Sequence, residues 1–220
     1  MQPLELPLLQ LAAIPSPPQE SLPKHSAVDL VIAVSPSAVH FGRNWWPWEW
    51  PPRCPVAGVG TGTARAWRDA GAREVIAPEG DGDSQALLAD PALQDVAGRR
   101  LLILRGEGGR DLLGPALTRR GARVDEWLCY RRRAPQKLGE RLAELLRDPP
   151  DAWTVTSSEA LANLEAAWPG HAARDAPLFA PHPRIAQLAR VAGWRTVLTG
   201  AGDAGLMVAL QAWFDGADHD

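Results

Sequence analysis

Residues 101–110, LLILRGEGGR, contain the residue types that an anion-binding turn requires. Glycines permit positive φ and leave backbone N–H groups accessible, and the helical spacing that starts at Asp111 places the start of a helix directly after them. The first N–H groups of a helix lack internal acceptors and carry partial positive charge, and guanidinium groups bind carboxylates or phosphates. The alternative is a tight strand-to-helix connection without a ligand. The residues with this potential chemistry are Gly106, Gly108, Gly109, Arg105 and Arg110.

Two common phosphate-binding patterns are excluded at these glycines. A P-loop would end in Gly-Lys-Ser/Thr, whereas this turn continues as Gly109-Arg110-Asp111. A dinucleotide fingerprint beginning at Gly106 or at Gly58 would require glycine where Asp111 and Thr63 stand. The turn therefore matches neither nucleotide-binding pattern. Its arginines and free N–H groups suit carboxylates or phosphates in general.

The elements around this turn indicate an α/β protein. Four consecutive apolar residues, Leu101 to Leu104, are typical of a strand buried on both faces of a parallel sheet. Predicted strands cover residues 4–11, 29–34, 55–59, 75–77, 101–104, 122–131, 153–155, 178–180 and 196–198. Predicted helices begin at 38 and cover 64–70, 84–96 with an interruption at Pro91, 111–120, 138–147, 160–168, 184–192 and 203–214. This alternation predicts parallel sheets built by right-handed crossovers.

One strand–turn–helix connection recurs along the chain: a strand is followed by a turn rich in Ser, Thr or Gly, and a helix begins there. Ligands of open α/β sheets bind at such carboxyl ends of strands. If two domains face each other, five such turns surround one cleft that suits a large polyanion. The serines can instead be simple helix caps, and His182 a helix-start residue rather than a base. The five turns lie at Ser35, Thr61, Arg105, Ser157 and His182.

Composition narrows the function classes. The net charge of −3 provides no overall basic field, so we expect no nucleic-acid partner. Cys54 and Cys129 are too few for a disulfide framework or a zinc set; we expect free thiols, with one lone bridge as the alternative. No apolar run approaches the ~18 residues of a membrane span, and the first residues resemble no signal peptide, which predicts a cytoplasmic protein.

Tryptophan is unusually frequent, with ten residues of this type, four of them between positions 45 and 50. A loop that packs its own rings inward is the expectation, and a ligand or partner surface the alternative.

Several segments together resemble the uroporphyrinogen-III synthase family and cover nearly the whole chain in the family's order. The RGEGGRDLL block followed by a tyrosine-bearing strand is the more specific part of the resemblance. The matching segments are PLLQL, DLVIAVSPSAVHF, VAGVGTGTARAW, GAREVIAPEGDGDSQALL, GRRLLILRGEGGRDLLGPALTRRGARV with CYRR, VTSSEALANL and PRIAQLARVAGW.

The resemblance implies two α/β domains, each with a parallel sheet flanked by helices (flavodoxin-like), joined by a two-stranded linker. Residues 12–130 would form a complete domain, and residues 1–11 a linker strand that belongs with a second domain, 131–220. The linker strands would be roughly Leu4 to Leu11 and Tyr130 to Ala134. The family's usual first strand-helix unit, with its Thr-Arg-Pro motif, is expected to be missing from the second domain.

The resemblance also implies a reaction. Enzymes of this family cyclise hydroxymethylbilane with inversion of ring D and loss of water, in haem biosynthesis, without metal or organic cofactor. The enzyme would act mainly by positioning the substrate. Tyr130 matches the family's tyrosine and would donate a proton to the departing hydroxyl; the alternative is a linker tyrosine that only packs. Carboxylate-binding candidates are Ser35, Thr61, Thr63, Arg105, Gly109, Arg110, Ser157 and Ser158.

Two further interpretations remain open at this point. Arg131 to Arg133 either attract the anionic substrate or form a solvated face. The chain as a whole could instead be a non-catalytic, two-domain binding protein for anions or small molecules, inactive because its start is truncated, or its gene could be read from the wrong methionine. By analogy with the family we expect a monomer with no membrane partner.

Overall fold

The computed structural model describes residues 2–17, 28–46, 49–79, 82–109, 111–170 and 174–217. The chain forms two compact units. We call Leu11–Arg132 the larger region, and Met1–Gln10 with Arg133–Asp220 the smaller region.

The larger region is built on a parallel sheet flanked by helices. Its elements are β1 (Gln10–Ala13), β2 (Leu30–Ala33), α1 (Pro36–Gly42), β3 (Val56–Gly58), α2 (Thr61–Asp69), β4 (Val75–Ile76), α3 (Ser84–Ala89), β5 (Arg100–Gly106), α4 (Leu113–Arg119) and β6 (Arg123–Arg133). The sheet order is β1-β6-β5-β2-β3-β4, and β2 to β6 pair in parallel. The predicted α/β class is therefore confirmed. Counted from β2, the parallel strands follow the doubly wound order 3-2-1-4-5 rather than the flavodoxin order 2-1-3-4-5.

Strand β5 is buried on both faces, as its apolar run predicts. Leu101 and Ile103 pack into one core cluster, with Leu30 and Leu117. Leu102 and Leu104 belong to the cluster on the opposite face. Because side chains alternate along a strand, four apolar residues in a row fill both layers, which fixes β5 in the middle of the sheet.

The smaller region contains a three-stranded parallel sheet with the strand order β7-β8-β9. Trp153, Trp168 and Trp194 contact one another in its core, with ring centroids 4.7 to 6.0 Å apart. Its elements are α5 (Leu138–Leu145), β7 (Trp153–Thr154), α6 (Ser158–Ala167), β8 (Leu178–Ala180), α7 (Pro183–Val191), β9 (Thr196–Leu198) and α8 (Gly202–Ala217).

The prediction of a strand over residues 4–11 is wrong. Residues 2–9 have no regular secondary structure, and the strand is β1, Gln10–Ala13. Pro3 and Pro7 each remove a backbone donor from this segment. Leu6, Leu8 and Leu9 pack against the core of the smaller region, and Asn163 Nδ2 donates to the Leu8 carbonyl at 2.9 Å. These contacts replace strand pairing.

The boundaries of helices α3 and α4 also differ from the prediction. Helix α3 ends at Ala89, and a separate 3₁₀ turn follows at Pro91–Leu93. Asp90 is extended because the residue before a proline avoids the helical region, and its carboxylate accepts from Ala92 N at 2.9 Å. Helix α4 begins at Leu113 rather than at Asp111 because Gly108 and Gly109, with φ of +76° and +82°, lengthen the turn.

The tryptophan loop packs inward at the positions that the structure describes. Trp45 and Trp46 are buried, and Trp45 Nε1 donates to the Ile14 carbonyl at 2.7 Å. The Trp50 ring lies 5.1 Å from that of Trp67. The expectation is confirmed for these three rings, and Trp48 lies outside the described residues. None of the described helices is long and apolar enough to cross a membrane.

Candidate active site

A pocket of about 140 Å³ lies at the carboxyl ends of β2, β5 and β6 in the larger region. The strand order reverses between β2 and β5, which pair directly through Ala33 and Leu104 at their last positions. Ligands of doubly wound sheets bind in the crevice at this reversal, because the loops on its two sides diverge to opposite faces of the sheet. The polar side chains lining the pocket are Ser35, Ser84, Arg105, Asp111, Glu126, Tyr130 and Arg132.

An irregularity in the sheet places Tyr130 in this pocket. The register between β5 and β6 pairs Arg105 with Leu128 but Gly106 with Tyr130, so Cys129 is an extra residue in β6. A bulge of this kind reverses the alternation of side chains and re-aims those that follow it. Tyr130 is consequently 3% exposed, although strict alternation from Trp127 would place its ring on the opposite face.

The Tyr130 ring is fixed on both sides. Phe41 stacks against it with centroids 5.4 Å apart and planes inclined by 24°. A Cβ atom added to Gly106 would lie only 2.6 Å from Tyr130 Cζ, so the ring occupies the space that any side chain at position 106 would need. The Tyr130 hydroxyl then has a single position at the pocket.

Ser35 connects this hydroxyl to helix α1. Its Oγ accepts from Ala38 N at 3.0 Å, as an N-cap residue does, and lies 3.0 Å from Tyr130 Oη. Because a serine oxygen has a second lone pair and its own hydrogen, either hydroxyl can donate in the contact with Tyr130. Ser35 is therefore both a cap and a hydrogen-bond partner of Tyr130.

Arg105 holds the glycine turn together. Its Nη1 donates to Asp111 Oδ1 at 3.2 Å and to Glu126 Oε2 at 3.0 Å, and its Nη2 donates to the Gly108 carbonyl at 3.0 Å. The backbone N–H groups of Gly108 and Gly109 meet no backbone acceptor within the described ranges. Arg110 lies outside the described residues.

The remaining described candidates are not among the residues that line this pocket. Thr61 is an exposed residue at the start of α2, and Thr63 is buried against Gly58. Ser157 and Ser158 are in the smaller region, where Ser157 Oγ accepts from Ala160 N at 3.0 Å and Ser158 begins α6. His182 is the N-cap of α7, with Nδ1 accepting from Arg184 N at 3.2 Å.

Neither cysteine is suited to nucleophilic chemistry. Both thiols are free. Burial raises the pKa of Cys129 from 9.0 to about 12 and also raises the pKa of Cys54, so both stay protonated near neutral pH. Among the described side chains, no three His, Cys, Asp or Glu lie close enough together to hold a metal ion.

Sequence reasoning missed Phe41 and Glu126 as contributors to the pocket, and it named Gly106 only as a residue of the anion-binding turn. Phe41 and Gly106 fix the tyrosine ring, and Glu126 anchors Arg105 from the neighbouring strand. A sequence signal existed only for Gly106, which follows a buried strand directly. The others depend on strand order and on the bulge, which cannot be obtained from local spacing.

Comparison with known proteins finds similar sequences along most of the chain. The family model described as uroporphyrinogen-III synthase HemD matches residues 1–201. The uroporphyrinogen-III synthase of Escherichia coli K12 is 35% identical over 195 residues, covering 83% of this chain and 78% of that protein. The enzyme of the same name from Salmonella typhimurium LT2 is 38% identical over 204 residues, with the same coverage.

Solved structures support the fold. The uroporphyrinogen-III synthetase of Helicobacter pylori 26695 matches with a TM-score of 0.66 at 11% identity, covering 94% of this chain and 91% of that one. A mutant uroporphyrinogen III synthase from Thermus thermophilus matches with a TM-score of 0.55 at 24% identity, covering 99% and 90%. The match across residues 1–201, with relatives that are 35% and 38% identical over most of their length, establishes that this chain belongs to the uroporphyrinogen-III synthase family.

Proposed function

We propose that the chain cyclises hydroxymethylbilane to uroporphyrinogen III, a lyase reaction, and that the pocket at Tyr130 serves the step in which the hydroxyl departs. Family membership supports the reaction. One geometric observation supports the site: Tyr130 lines the pocket at the strand-order reversal, and its hydroxyl is hydrogen-bonded to Ser35. The proposed site is therefore the place where this fold usually binds ligands.

In the proposed step, the C–O bond of the hydroxymethyl group breaks while Tyr130 donates its proton, so that the hydroxyl leaves as water. The electron pair of the pyrrole that carries this group forms an azafulvenium cation, and the proton released when the macrocycle closes returns to the Tyr130 phenolate. Ser35 then donates a hydrogen bond to the phenolate oxygen, which stabilises the charge left on Tyr130.

The difficult part of the reaction is its direction. The azafulvene closes spontaneously without inversion, so the enzyme must hold ring D so that its substituted carbon is attacked. The resulting spiro intermediate reopens and recloses with ring D inverted. This requirement favours a rigid site, and a ring held between Phe41 and Gly106 provides one.

We propose carboxylate contacts at the remaining sequence candidates. Residues with an accessible backbone N–H or a hydroxyl at the start of a helix suit the carboxylate arms of the substrate. The candidates in the larger region are Ser35, Thr61, Thr63 and Gly109, with Arg105 acting through the turn that it holds and Arg110 named from the sequence alone; those in the smaller region are Ser157 and Ser158.

We further propose that the chain acts as a cytoplasmic monomer with a domain division near residues 12–130. Two free thiols favour a reducing compartment. Gel filtration with light scattering would test the monomer, and a mass near twice 23.7 kDa would contradict it.

The decisive experiment supplies freshly generated hydroxymethylbilane to the purified chain and separates the type III and type I macrocycles. We expect predominantly type III product. Type I alone, as forms without enzyme, would contradict the enzymatic proposal and favour the non-catalytic binding protein.

Tyr130→Phe tests the assigned residue separately. The variant keeps the ring between Phe41 and Gly106 but removes the proton donor, so we expect kcat to fall by about 100-fold. Thermal unfolding provides the control, because the loss of one hydrogen bond changes stability by only about 1 kcal/mol. A Tyr130→Phe variant with full activity would leave the family assignment intact and remove Tyr130 from the mechanism.

A further inference from the structure

Among the described residues, two arginines line the pocket, and their surroundings differ. Arg105 and Arg132 are both within reach of a group bound beside Tyr130. The side chain of Arg105 is 12% exposed, whereas Arg132 is an exposed residue. A carboxylate entering the pocket would therefore meet one occupied cation and one accessible cation.

The charge of Arg105 is already compensated. Two carboxylates, Asp111 and Glu126, accept from the same nitrogen, Nη1, and the Gly108 carbonyl accepts from Nη2. One cation beside two anions leaves this group with a net negative charge. An incoming carboxylate would have to displace these partners, so Arg105 is suited to shaping the turn rather than to attracting substrate.

Arg132 makes no ion pair with any residue that the structure describes. It is two positions beyond Tyr130 on β6, so its side chain emerges on the same face as the tyrosine ring. Its neighbour Arg131 points to the other face, where its Nε lies 3.7 Å from Glu107 Oε2. Alternation along the strand thus separates these two adjacent arginines.

The size of the pocket limits what it can take. A volume of about 140 Å³ is below the roughly 300–1,000 Å³ of pockets that enclose a drug-sized ligand. This volume matches one acetate or propionate arm rather than a tetrapyrrole. A single carboxylate arm held by a guanidinium beside Tyr130 would fill it.

We propose that Arg132 binds one carboxylate arm of the substrate in this pocket, beside the Tyr130 hydroxyl, and that Arg105 is a positioning residue of the glycine turn. The proposal rests on the proposed function and specifies how its site recognises an acidic substrate. Arg132 thereby fixes the position of the bound substrate relative to the Tyr130 hydroxyl, the proposed proton donor.

The test compares Arg132→Ala with Arg131→Ala, which removes the same charge from the adjacent position on the opposite face. With hydroxymethylbilane, we expect Arg132→Ala to raise KM by about tenfold or more, with kcat changed less than twofold, and Arg131→Ala to leave both within twofold. Arg132→Lys should restore part of the KM, because it keeps the charge and loses the bidentate geometry.

A binding measurement keeps the two proposals distinguishable. Uroporphyrin III, an octacarboxylate, is titrated into each variant at low and moderate salt, and its fluorescence reports Kd without turnover. We expect Arg132→Ala alone to weaken Kd and to reduce its salt dependence. Equal Kd and KM values for the two alanine variants would overturn the role of Arg132. A wild type that binds through Arg132 but forms only the type I product would overturn the proposed function instead.

Discussion

Ser35 in the larger region and Ser157 in the smaller region begin from the same local structure and end with different roles. Each follows a strand, and each side chain accepts from a backbone amide three residues later at 3.0 Å. Only Ser35 also bonds a second side chain, that of Tyr130. A capping serine at a strand end therefore predicts a helix start, and a second polar partner is what indicates a site.

Sheet topology explains the difference. Strand β2, which precedes Ser35, lies between β3 and β5, and the strand order reverses beside it. Strand β7, which precedes Ser157, is an edge strand of its sheet. The described strands of that sheet lie in chain order, β7-β8-β9, without a reversal. Loops that diverge at a reversal leave a crevice, whereas successive crossovers in one direction pack their loops side by side.

The largest effect is expected from Gly106→Ala, which would break the site in the larger region. The new Cβ would lie 2.6 Å from Tyr130 Cζ and 3.0 Å from its hydroxyl oxygen, so the ring must move. A displacement of about 1 Å at a catalytic group can cost about 100-fold in rate, and overpacking costs about 1–3 kcal/mol. Steady-state kinetics and urea unfolding would measure both.

The matched control is Gly139→Ala in the smaller region. A Cβ at this exposed position of helix α5 would meet no atom within 4 Å. We expect unchanged activity and a gain of about 0.5–1 kcal/mol, because alanine favours helix more than glycine does. Wild-type kcat in Gly106→Ala would show that the position of the Tyr130 ring is irrelevant to the reaction.

A smaller effect sharpens the comparison of the two serines. Ser35→Ala and Ser157→Ala should each cost about 1 kcal/mol of stability, because each removes one N-cap hydrogen bond. Only Ser35→Ala should also lower kcat, by about tenfold, because it removes the partner of the phenol oxygen. Equal losses of kcat in the two variants would contradict the specific role of Ser35 as the partner of the Tyr130 hydroxyl.

Local patterns are sufficient for most of the fold. They predict the strands at 178–180 and 196–198 to the residue, and they identify β5 because four apolar residues in a row, bounded by turn residues, favour a strand buried on both faces. The first strand is misplaced because leucine-rich sequence predicts burial equally well in a strand and in an irregular segment that packs its leucines one at a time.

The site is less predictable because it depends on non-local geometry. Ser35 and Tyr130 are 95 positions apart, and they meet only because β2 and β6 flank β5 and because β6 contains one extra residue. The different environments of Arg131 and Arg132 follow from strand alternation, whereas Arg105 depends on Glu126 in another strand. Spacing along the chain carries none of this information.

In the smaller region, we expect removal of a polar side chain that bonds core residues to lower the free energy of unfolding and to leave kcat unchanged. Glu165 accepts from Trp194 Nε1 at 2.6 Å and from Arg174 at 2.8 Å, and the Arg174 guanidinium lies 5.3 and 5.5 Å from the rings of Trp168 and Trp194. Glu165→Ala leaves both donors without this acceptor, so we expect a loss of about 2 kcal/mol in urea unfolding.

The control for this change is Glu49→Ala, which breaks an exposed ion pair with Arg53. It should cost about 0.5 kcal/mol or less, because exposed pairs contribute little. Both variants should keep the wild-type kcat. A Glu165→Ala variant with a large loss of kcat and normal stability would place part of the chemistry in the smaller region.

The smallest effect concerns the two thiols, which both lie in the larger region and so report on it alone. With iodoacetamide near pH 8, half-buried Cys54 should react first, whereas buried Cys129 should react only when the region opens, since burial raises its pKa to about 12.

In the unfolded chain the Cys129 thiol ionises near 9.0, so between pH 9 and 12 the unfolded state binds fewer protons than the folded state. The free energy of unfolding should therefore fall as pH rises through this window, and the fall should be smaller in Cys129→Ala. Equal labelling rates of Cys54 and Cys129 in the native protein, measured by peptide mass mapping, would contradict the buried position of β6 at Cys129 and with it the bulge that places Tyr130 in the pocket.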